Sequence, residues 1–257
     1  MTQSFRSRLR RGDLLIGPML TLGAPEVAEI MAAAGYDWLF VDAEHGAFDP
    51  PRAQATLQAA GPGCPGVVRL PSADETWIKK YLDIGAAGVI APQVNSAVEA
   101  ERVVRLCKYA PEGTRGVGLA RAHEYGLGFQ EYIDRANDDI AVIVQAEHRA
   151  AVADIEAIVR VPGVDAVLVG PYDLSASMGK PGAVDDPEVR AAIDRVRVAC
   201  LAANVPVGYF GTDAAAVAPY IEQGYTLIIA GVDSLLMGVG ARELVQALTQ
   251  PARSAAN

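Results

Sequence analysis

The sequence predicts a (β/α)₈ barrel, and three observations support this fold class. Short apolar runs rich in β-branched residues and bounded by Gly or Pro alternate with amphipathic stretches along the chain. About eight such units are present, and the 257 residues match the usual size of this barrel. The Gly-rich dinucleotide fingerprint that often follows an early strand of a doubly wound open sheet is absent. The open sheet is the competing fold, and the barrel is the better prediction.

The elements follow one another in a regular order. The predicted strands are the short apolar runs at residues 14–19, 38–42, 67–70, 88–92, 140–145, 166–170, 205–209 and 226–230. The predicted helices are the amphipathic stretches at residues 25–34, 50–60, 73–84, 97–108, 150–160, 187–203, 214–223 and 234–248. Strands that alternate with helices pair in parallel through right-handed crossovers, which is the arrangement of a barrel.

One connection between a predicted helix and the next predicted strand is much longer than the others. Residues 109–139 include PEGTRGVGLARAHEYG, whose Gly, Arg and aromatic content is not that of a disordered segment. Long connections in compact domains are usually functional, so we predict an ordered active-site or interface loop here. No linker or low-complexity segment marks a second domain. We therefore expect a single barrel domain over residues 1–257, with a loose tail at about 250–257.

Composition excludes several functional classes. The net charge of −9 argues against nucleic acid as a partner, although a local arginine could still hold a small anion. No apolar run approaches the roughly 20 residues of a membrane span, so no membrane partner is expected. The N-terminus lacks the apolar segment of a secretory signal. The 3 scattered cysteines lack metal-type spacing and are read as buried thiols, which predicts a cytoplasmic protein.

Polar side chains follow several of the predicted strands. In a barrel these carboxyl ends meet at one face, where the chemistry is located. Alternation along the second strand predicts that Asp42 points inward while Leu39 and Val41 face the helices. The polar residues at strand ends are Asp42, Glu44, His45, Arg69, Gln145, Glu147, Asp173 and Asp233. Asp233 and Asp173 also have a purely structural interpretation, as helix N-caps.

Together these residue types indicate a metal-assisted reaction. Converging carboxylates without cysteine and with few histidines suit a hard cation such as Mg²⁺ or Mn²⁺. Arg69 could hold a carboxylate or stabilise an enolate, and His45 offers proton transfer near neutral pH. None of the lysines lies at a predicted strand end, which argues against a Schiff-base aldolase.

At these residues the chain resembles the HpcH/HpaI family of 4-hydroxy-2-oxoheptanedioate aldolases, which are metal-dependent pyruvate aldolases on a (β/α)₈ barrel. The matching motifs run in family order from about residue 12 to residue 248, and they are GYDWLFVDAEHGAFD, VRLP, YLDIGAAGVIAPQV, PEGTRGVGLARAHEYG, VQAE and VGPYDLSASMG. The combination of EHG, RGVG and DLSASMG is far more specific than any one motif.

The resemblance implies a role for each matching residue. Glu147 and Asp173 would bind a divalent metal (Mg²⁺, Mn²⁺ or Co²⁺), and Asp42 would support it through a metal-bound water. Arg69 would contact the oxygens of the 2-oxo acid, and His45, paired with Asp83, would transfer a proton through an ordered water. The residues expected to line the substrate pocket are Gln145, Gly170, Pro171, Tyr172 and, near the aldehyde, Phe210.

The implied function is reversible cleavage of 4-hydroxy-2-oxo acids to an aldehyde and pyruvate, or a related 2-oxo acid such as hydroxypyruvate. Tyr172 departs from the small or polar residue usual in the family, and Ala47 and Ala146 depart from its usual residues at two further positions. Tyr172 and Phe210 leave the aldehyde undetermined. Two alternatives stay open: a citrate-lyase-type lyase acting on a CoA thioester, and a non-enzymatic metal-binding scaffold. The family also implies a homohexamer, built as a trimer of dimers that exchange the C-terminal helix.

Overall fold

In the computed structural model, which describes residues 3–249, eight parallel strands close into one barrel in which β8 pairs with β1. The predicted fold class is confirmed, and each strand lies within two residues of its predicted bounds. The strands are β1 (Leu15–Leu20), β2 (Leu39–Asp42), β3 (Gly66–Arg69), β4 (Gly88–Ala91), β5 (Ala141–Ala146), β6 (Ala166–Val169), β7 (Val207–Gly211) and β8 (Leu227–Val232).

Helices surround the barrel. They are α1 (Phe5–Arg11), α2 (Pro25–Ala33), α3 (Pro50–Ala60), α4 (Glu75–Asp83), α5 (Ala97–Cys107), α6 (Phe129–Asp139), α7 (Arg149–Ala153), α8 (Ile155–Ile158), α9 (Pro171–Ser177), α10 (Pro187–Ala203), α11 (Ala214–Glu222) and α12 (Asp233–Thr249). Three expectations were incomplete. Helices α1 and α9 were not among the predicted helices, residues 150–160 form two short helices, and part of the predicted loop 109–139 is helix α6 together with a 3₁₀ helix at Arg121–Gly126.

Side-chain caps determine where several helices begin. The side chains of Asp49, Asp74, Ser96, Asp186 and Asp213 each accept a hydrogen bond from a backbone N–H in the first turn of α3, α4, α5, α10 and α11, respectively. Such caps satisfy amide groups that have no partner inside the helix. Each of these helices therefore begins at its capping residue. Helix α4 follows β3 directly and runs back along the barrel, so its C-terminus lies at the end opposite the carboxyl ends of the strands.

The core has two layers. Inside the barrel, side chains such as Trp38, Phe40 and Ile143 pack together, and Phe5 and Leu9 of α1 join them from the N-terminal ends of the strands. Between the strands and the helices lies a second layer, which contains Leu39 and Val41. The alternation predicted for β2 is thus confirmed, and it directs Asp42 toward the interior.

Helix α12 differs from the other helices. It contacts β1 and β8 at its start, and beyond Asp233 its residues are exposed. Its exposed apolar side chains are Leu235, Leu236, Met237, Val239, Leu244, Val245 and Leu248. The predicted packing of this helix on a neighbouring subunit stays a prediction, as does the single-domain assignment. The predicted loose tail at 250–257 lies outside the described residues.

No helix within residues 3–249 combines the length and the apolar character that crossing a membrane requires.

Candidate active site

The carboxyl ends of the strands surround a cavity of about 270 Å³ at the mouth of the barrel. Most of the predicted site residues line this cavity, namely Asp42, His45, Arg69, Gln145, Gly170, Pro171, Tyr172, Asp173 and Phe210. Glu147 lies beside them, one residue beyond the end of β5, and its carboxylate accepts a hydrogen bond from the Gln145 amide. The barrel mouth therefore brings together all of the predicted site residues except Asp83.

A buried ion pair lies between β2 and β3. Arg69 donates through Nε to Oδ1 of Asp42 at 2.9 Å and through Nη2 to Oδ2 at 2.8 Å. Asp42 also accepts bonds from the backbone N–H groups of Glu44 and His45. Gly46 completes this turn, because a Cβ there would collide with the carbonyl oxygen of Asp42. Asp42 thus holds both the guanidinium and the turn that carries His45.

Glu44 is a member of the site to which we assigned no role from sequence. Its Oε2 lies 3.3 Å from Arg69 Nε and 3.9 Å from His45 Nε2, yet this buried oxygen makes no hydrogen bond within the described residues. Burial raises the pKa of the Glu44 carboxyl, against the opposing effect of the Arg69 charge. The sequence feature that could have identified Glu44 as a site residue is its position directly after a strand, next to His45.

Glu147 is held from a second direction by a strained backbone. The N–H of Gln93 donates to Glu147 Oε1 at 2.7 Å, and Gln93 has a φ of 53°, in the left-handed region that non-glycine residues rarely adopt. Such conformations cluster at functional sites. No sequence signal pointed to Gln93, because its contribution is a backbone amide.

Negative charge accumulates around Glu147, which is 2% exposed. Burial raises the pKa of this carboxyl; the Gln93 N–H opposes that effect, and the charges of Glu44 and Asp173 add to it. Three carboxylates that interact in this way attract a cation. The site is therefore electrostatically suited to a positively charged ligand.

The residues present also fit a metal ion sterically. Gly170 leaves space beside Glu147, since a Cβ would lie 2.9 Å from Glu147 Cβ and 3.2 Å from Oε2. Oε1 of Gln145 is buried without a hydrogen-bond partner among the described residues. Within residues 3–249 no three His, Cys, Asp or Glu side chains are grouped to enclose a metal. Two carboxylates would therefore need substrate and water as further ligands, which Mg²⁺ readily accepts.

The expected pairing of His45 with Asp83 does not occur within one protomer. Asp83 is the last residue of α4, at the end of the barrel opposite the mouth, and it accepts a hydrogen bond from Arg115 Nη2 at 2.7 Å. The side chain of His45 is 68% exposed, and its Nε2 lies 3.9 Å from Glu44 Oε2. A single chain cannot bring these two residues together, because the full length of α4 separates Asp83 from the mouth.

The long connection packs around Asp83 rather than over its own active site. Arg115 lies over the Tyr109 ring at 4.6 Å and donates to the hydroxyl of Tyr132. His123 is fully buried, and its Nε2 lies 3.1 Å from the Tyr109 hydroxyl. Burial lowers the pKa of His123. The segment is thus ordered, and it lies at the C-terminal end of α4.

Asp233 has a structural role. Its carboxylate accepts hydrogen bonds from the backbone N–H groups of Thr21, Leu22 and Ser234. These bonds join the end of β8 and the start of α12 to the segment after β1. Asp233 is therefore structural through these bonds and is not an N-cap, because it is the first residue of α12. The N-cap interpretation of Asp173 is also wrong, because Gly170 precedes α9 and Asp173 lies in its first turn.

The other side of the mouth cavity is apolar. The rings of Tyr172 and Phe210 meet edge to face with centroids 6.4 Å apart, and Met19 and Phe40 lie on the same cavity. Tyr172 is 50% exposed. The cavity therefore has a charged half and an aromatic half.

The fold places this protein in the broad class of (β/α)₈ barrels. Its mouth carries clustered carboxylates and a buried arginine, and it is suited to bind a cation. More specifically, the chain belongs to the HpcH/HpaI aldolase/citrate lyase family, whose model matches residues 17–238. The family predicted from the motifs is confirmed.

Relatives align along nearly the whole chain. It is 42% identical over 248 residues to a hydroxypyruvate/pyruvate aldolase of Pseudomonas aeruginosa, covering 93% of this chain and 90% of that protein. It is 40% identical over 259 residues to a 4-hydroxy-2-oxovalerate aldolase of Rhodococcus jostii (strain RHA1), covering 98% of both. A family protein from Burkholderia cenocepacia J2315 of known structure superposes with a TM-score of 0.93 at 37% identity, covering 97% of this chain and all of that one.

Proposed function

We propose that this protein is a divalent-metal-dependent aldolase that reversibly cleaves 4-hydroxy-2-oxo acids to an aldehyde and pyruvate, or a related 2-oxo acid such as hydroxypyruvate. The observation that carries the proposal is the buried Glu147 beside two further carboxylates and the Asp42–Arg69 pair at the barrel mouth. Relatives named as aldolases assign the chain to the carbon–carbon lyases and favour 2-oxo acids as substrates. The citrate-lyase alternative has no specific observation in its favour.

Glu147 and Asp173 are the residues that would hold the metal, for which Mg²⁺, Mn²⁺ and Co²⁺ are the candidates. When bound, a divalent cation polarises the oxygens of a 2-oxo acid and so acidifies the adjacent carbon. Gln145 and the Gln93 N–H hold the Glu147 carboxylate in place. Gly170 keeps the space beside it open.

Arg69 would stabilise the negative charge that develops on the substrate. Asp42 engages its Nε and Nη2, which leaves Nη1 without a partner within residues 3–249 and available to a substrate oxygen. The guanidinium is held rigidly because Asp42 is itself tied to the backbone of Glu44 and His45. A donor that is oriented before the reaction lowers the barrier more than one that must reorganise.

His45 is the group best suited to move a proton at the mouth, because its ring is exposed beside the substrate cavity. If Asp83 orients this ring, as the family resemblance implies, the aspartate must come from another subunit. Exchange of α12, with its exposed leucines, between two copies of the chain would provide such an assembly. We therefore propose that the protein acts as a homo-oligomer, and we retain the hexamer as the expected form.

Proton exchange tests the proposed function without knowledge of the aldehyde. The protein would be incubated with pyruvate in D₂O, with Mg²⁺ or Mn²⁺ and separately with EDTA, and the methyl protons followed by NMR. Glu147→Gln should reduce metal-dependent exchange by about 10²–10³-fold, because it removes the buried negative charge. Glu131→Gln, an exposed change on α6, is the matched control. Absence of exchange in the wild type with either metal would refute the pyruvate proposal.

A further inference from the structure

A second cavity lies next to the candidate active site, between α10 and α11. Its volume is about 520 Å³, within the range of small-molecule sites. Pro171, Tyr172 and Phe210 line both this cavity and the mouth cavity. The two spaces are therefore neighbours that share one wall, and the Tyr172–Phe210 ring pair is part of that wall.

The second cavity is lined by an aromatic cluster. Tyr209 and Tyr220 stack with ring centroids 3.5 Å apart, and Tyr225 meets them edge to face at 5.9 and 5.2 Å. Tyr225 is only 1% exposed, yet its buried hydroxyl has no hydrogen-bond partner among the described residues. Buried hydroxyls are normally paired, so this one is a free polar group beside the three rings. Polar side chains also line the cavity, namely those of Asp185, Arg190, Asp194, Thr212 and Gln223.

The division of the mouth cavity indicates how the second cavity would be used. A 2-oxo acid would occupy the charged half beside Arg69, Glu147 and Asp173. The second reactant would then occupy the aromatic half, where Phe210 and Tyr172 form the wall toward the second cavity. Because Tyr172 is half exposed, its ring can turn aside with little loss of buried apolar contact.

We propose that the α10–α11 cavity is a subsite for the far end of the acceptor aldehyde, and that it selects an elongated aldehyde that carries a hydroxylated aromatic ring. The ring would pack against Tyr209 and Tyr220, and its hydroxyl would bond to that of Tyr225. This inference rests on the proposed aldolase function, since it assigns the substrate of the same site.

A cavity-filling substitution tests the subsite. Ala215 is exposed on α11 and lines the cavity, whereas its neighbour Ala214 is equally exposed and does not. We would measure kcat/KM for pyruvate addition to 3-(4-hydroxyphenyl)propanal and to propanal. Ala215→Trp should lower the ratio of the two values about tenfold or more, and Ala214→Trp should leave it within about twofold. Equal ratios in the two variants would overturn the proposal.

The Tyr225 hydroxyl is tested by comparing two long aldehydes. Tyr225→Phe should reduce the preference for 3-(4-hydroxyphenyl)propanal over 3-phenylpropanal by about three- to tenfold, the worth of one hydrogen bond. An unchanged preference would refute the hydroxylated ring as the ligand.

Direct binding separates failure of the subsite from failure of the aldolase function. Saturation-transfer NMR with the unreactive alcohol 3-(4-hydroxyphenyl)propan-1-ol should show transfer to the ring protons in the wild type and in Ala214→Trp, and loss of transfer in Ala215→Trp. Absence of pyruvate methyl exchange in the D₂O assay would refute the proposed function, while the alcohol would still decide the subsite. Absence of transfer in the wild type would overturn the subsite.

Discussion

The two ends of the barrel each bury an arginine–aspartate pair, and the pairs differ in their surroundings. At the N-terminal ends of the strands, Arg6 Nε donates to both oxygens of Asp165 at 2.9 Å, and its Nη1 donates to the carbonyls of Asn137 and Asp138. Asp165 also accepts a bond from the N–H of Val142. Both Asp165 oxygens, and the Nε and Nη1 of Arg6, thus have hydrogen-bond partners among the described residues.

At the mouth, the Asp42–Arg69 pair is equally short but stands beside unused polar groups. Glu44 Oε2 and Gln145 Oε1 are buried without a hydrogen-bond partner in the described part of the chain, and burial raises the pKa of Glu147. A buried ion pair alone therefore does not identify a functional site. The unused hydrogen-bonding capacity around it does, because natural interiors seldom leave such groups unpaired without a ligand or a role.

The largest effect is expected at the structural pair. Asp165→Ala leaves the Arg6 guanidinium buried without its counter-charge and should lower the free energy of unfolding by about 3–5 kcal/mol. Urea unfolding measures this loss. The folded variant, assayed at low temperature, should keep its kcat for aldol cleavage within about threefold. A comparable loss of kcat would mean that the two ends are not separate in function.

At the mouth, Arg69→Lys should lower kcat/KM by about 10²-fold, because an ammonium cannot hold Asp42 through two parallel bonds and still reach the substrate. Arg6→Lys is the matched change at the other end, and it should reduce stability rather than kcat/KM. Steady-state kinetics and urea unfolding of both variants sharpen the comparison. An equally large loss of kcat/KM in Arg6→Lys would contradict the proposed difference in function between the two ends of the barrel.

The strained backbone at Gln93 should have a smaller effect. Gln93→Val places a β-branched residue at positive φ, which would shift the N–H that holds Glu147, and should lower kcat about tenfold. Gln93→Gly accepts the same φ and keeps the N–H, so its kcat should stay within about twofold of the wild type. Similar losses in both variants would show that the Gln93 side chain matters instead.

The smallest effect is expected near Asp83, at His123, whose protonation should change the free energy of unfolding at acidic pH. Burial lowers the pKa of His123, although the charge of Asp83 opposes this and that of Arg115 adds to it. The unfolded chain then binds a proton at a higher pH than the folded chain does. Stability is therefore complete above about pH 6.5 and falls as the pH drops toward the lowered pKa, by at most about 1.4 kcal/mol per pH unit.

His123→Phe should flatten this dependence between pH 7 and pH 5, as measured by urea unfolding. Val198→Ala, an exposed change on α10 that alters no titratable group, should leave the slope of the same profile unchanged. An identical slope in the wild type and in His123→Phe would contradict the assignment.

Much of the fold was predictable because its signals are local. The apolar runs and the amphipathic stretches between them placed the strands within two residues, and alternation on β2 correctly separated Phe40 and Asp42 from Leu39 and Val41. Helix α1 was not predicted, because basic and polar residues surround the two apolar residues that pack inside the barrel, Phe5 and Leu9.

The sequence by itself determined the barrel, the family and the residues that gather at the mouth, because the carboxyl ends of parallel strands must meet whatever the details of packing. Tertiary structure alone decided the rest. It separated Asp83 from His45 by the length of α4, turned the Gln93 N–H toward Glu147, and placed Tyr172 and Phe210 between two cavities. These features depend on contacts between residues far apart in the chain, which no local pattern of hydrophobicity records.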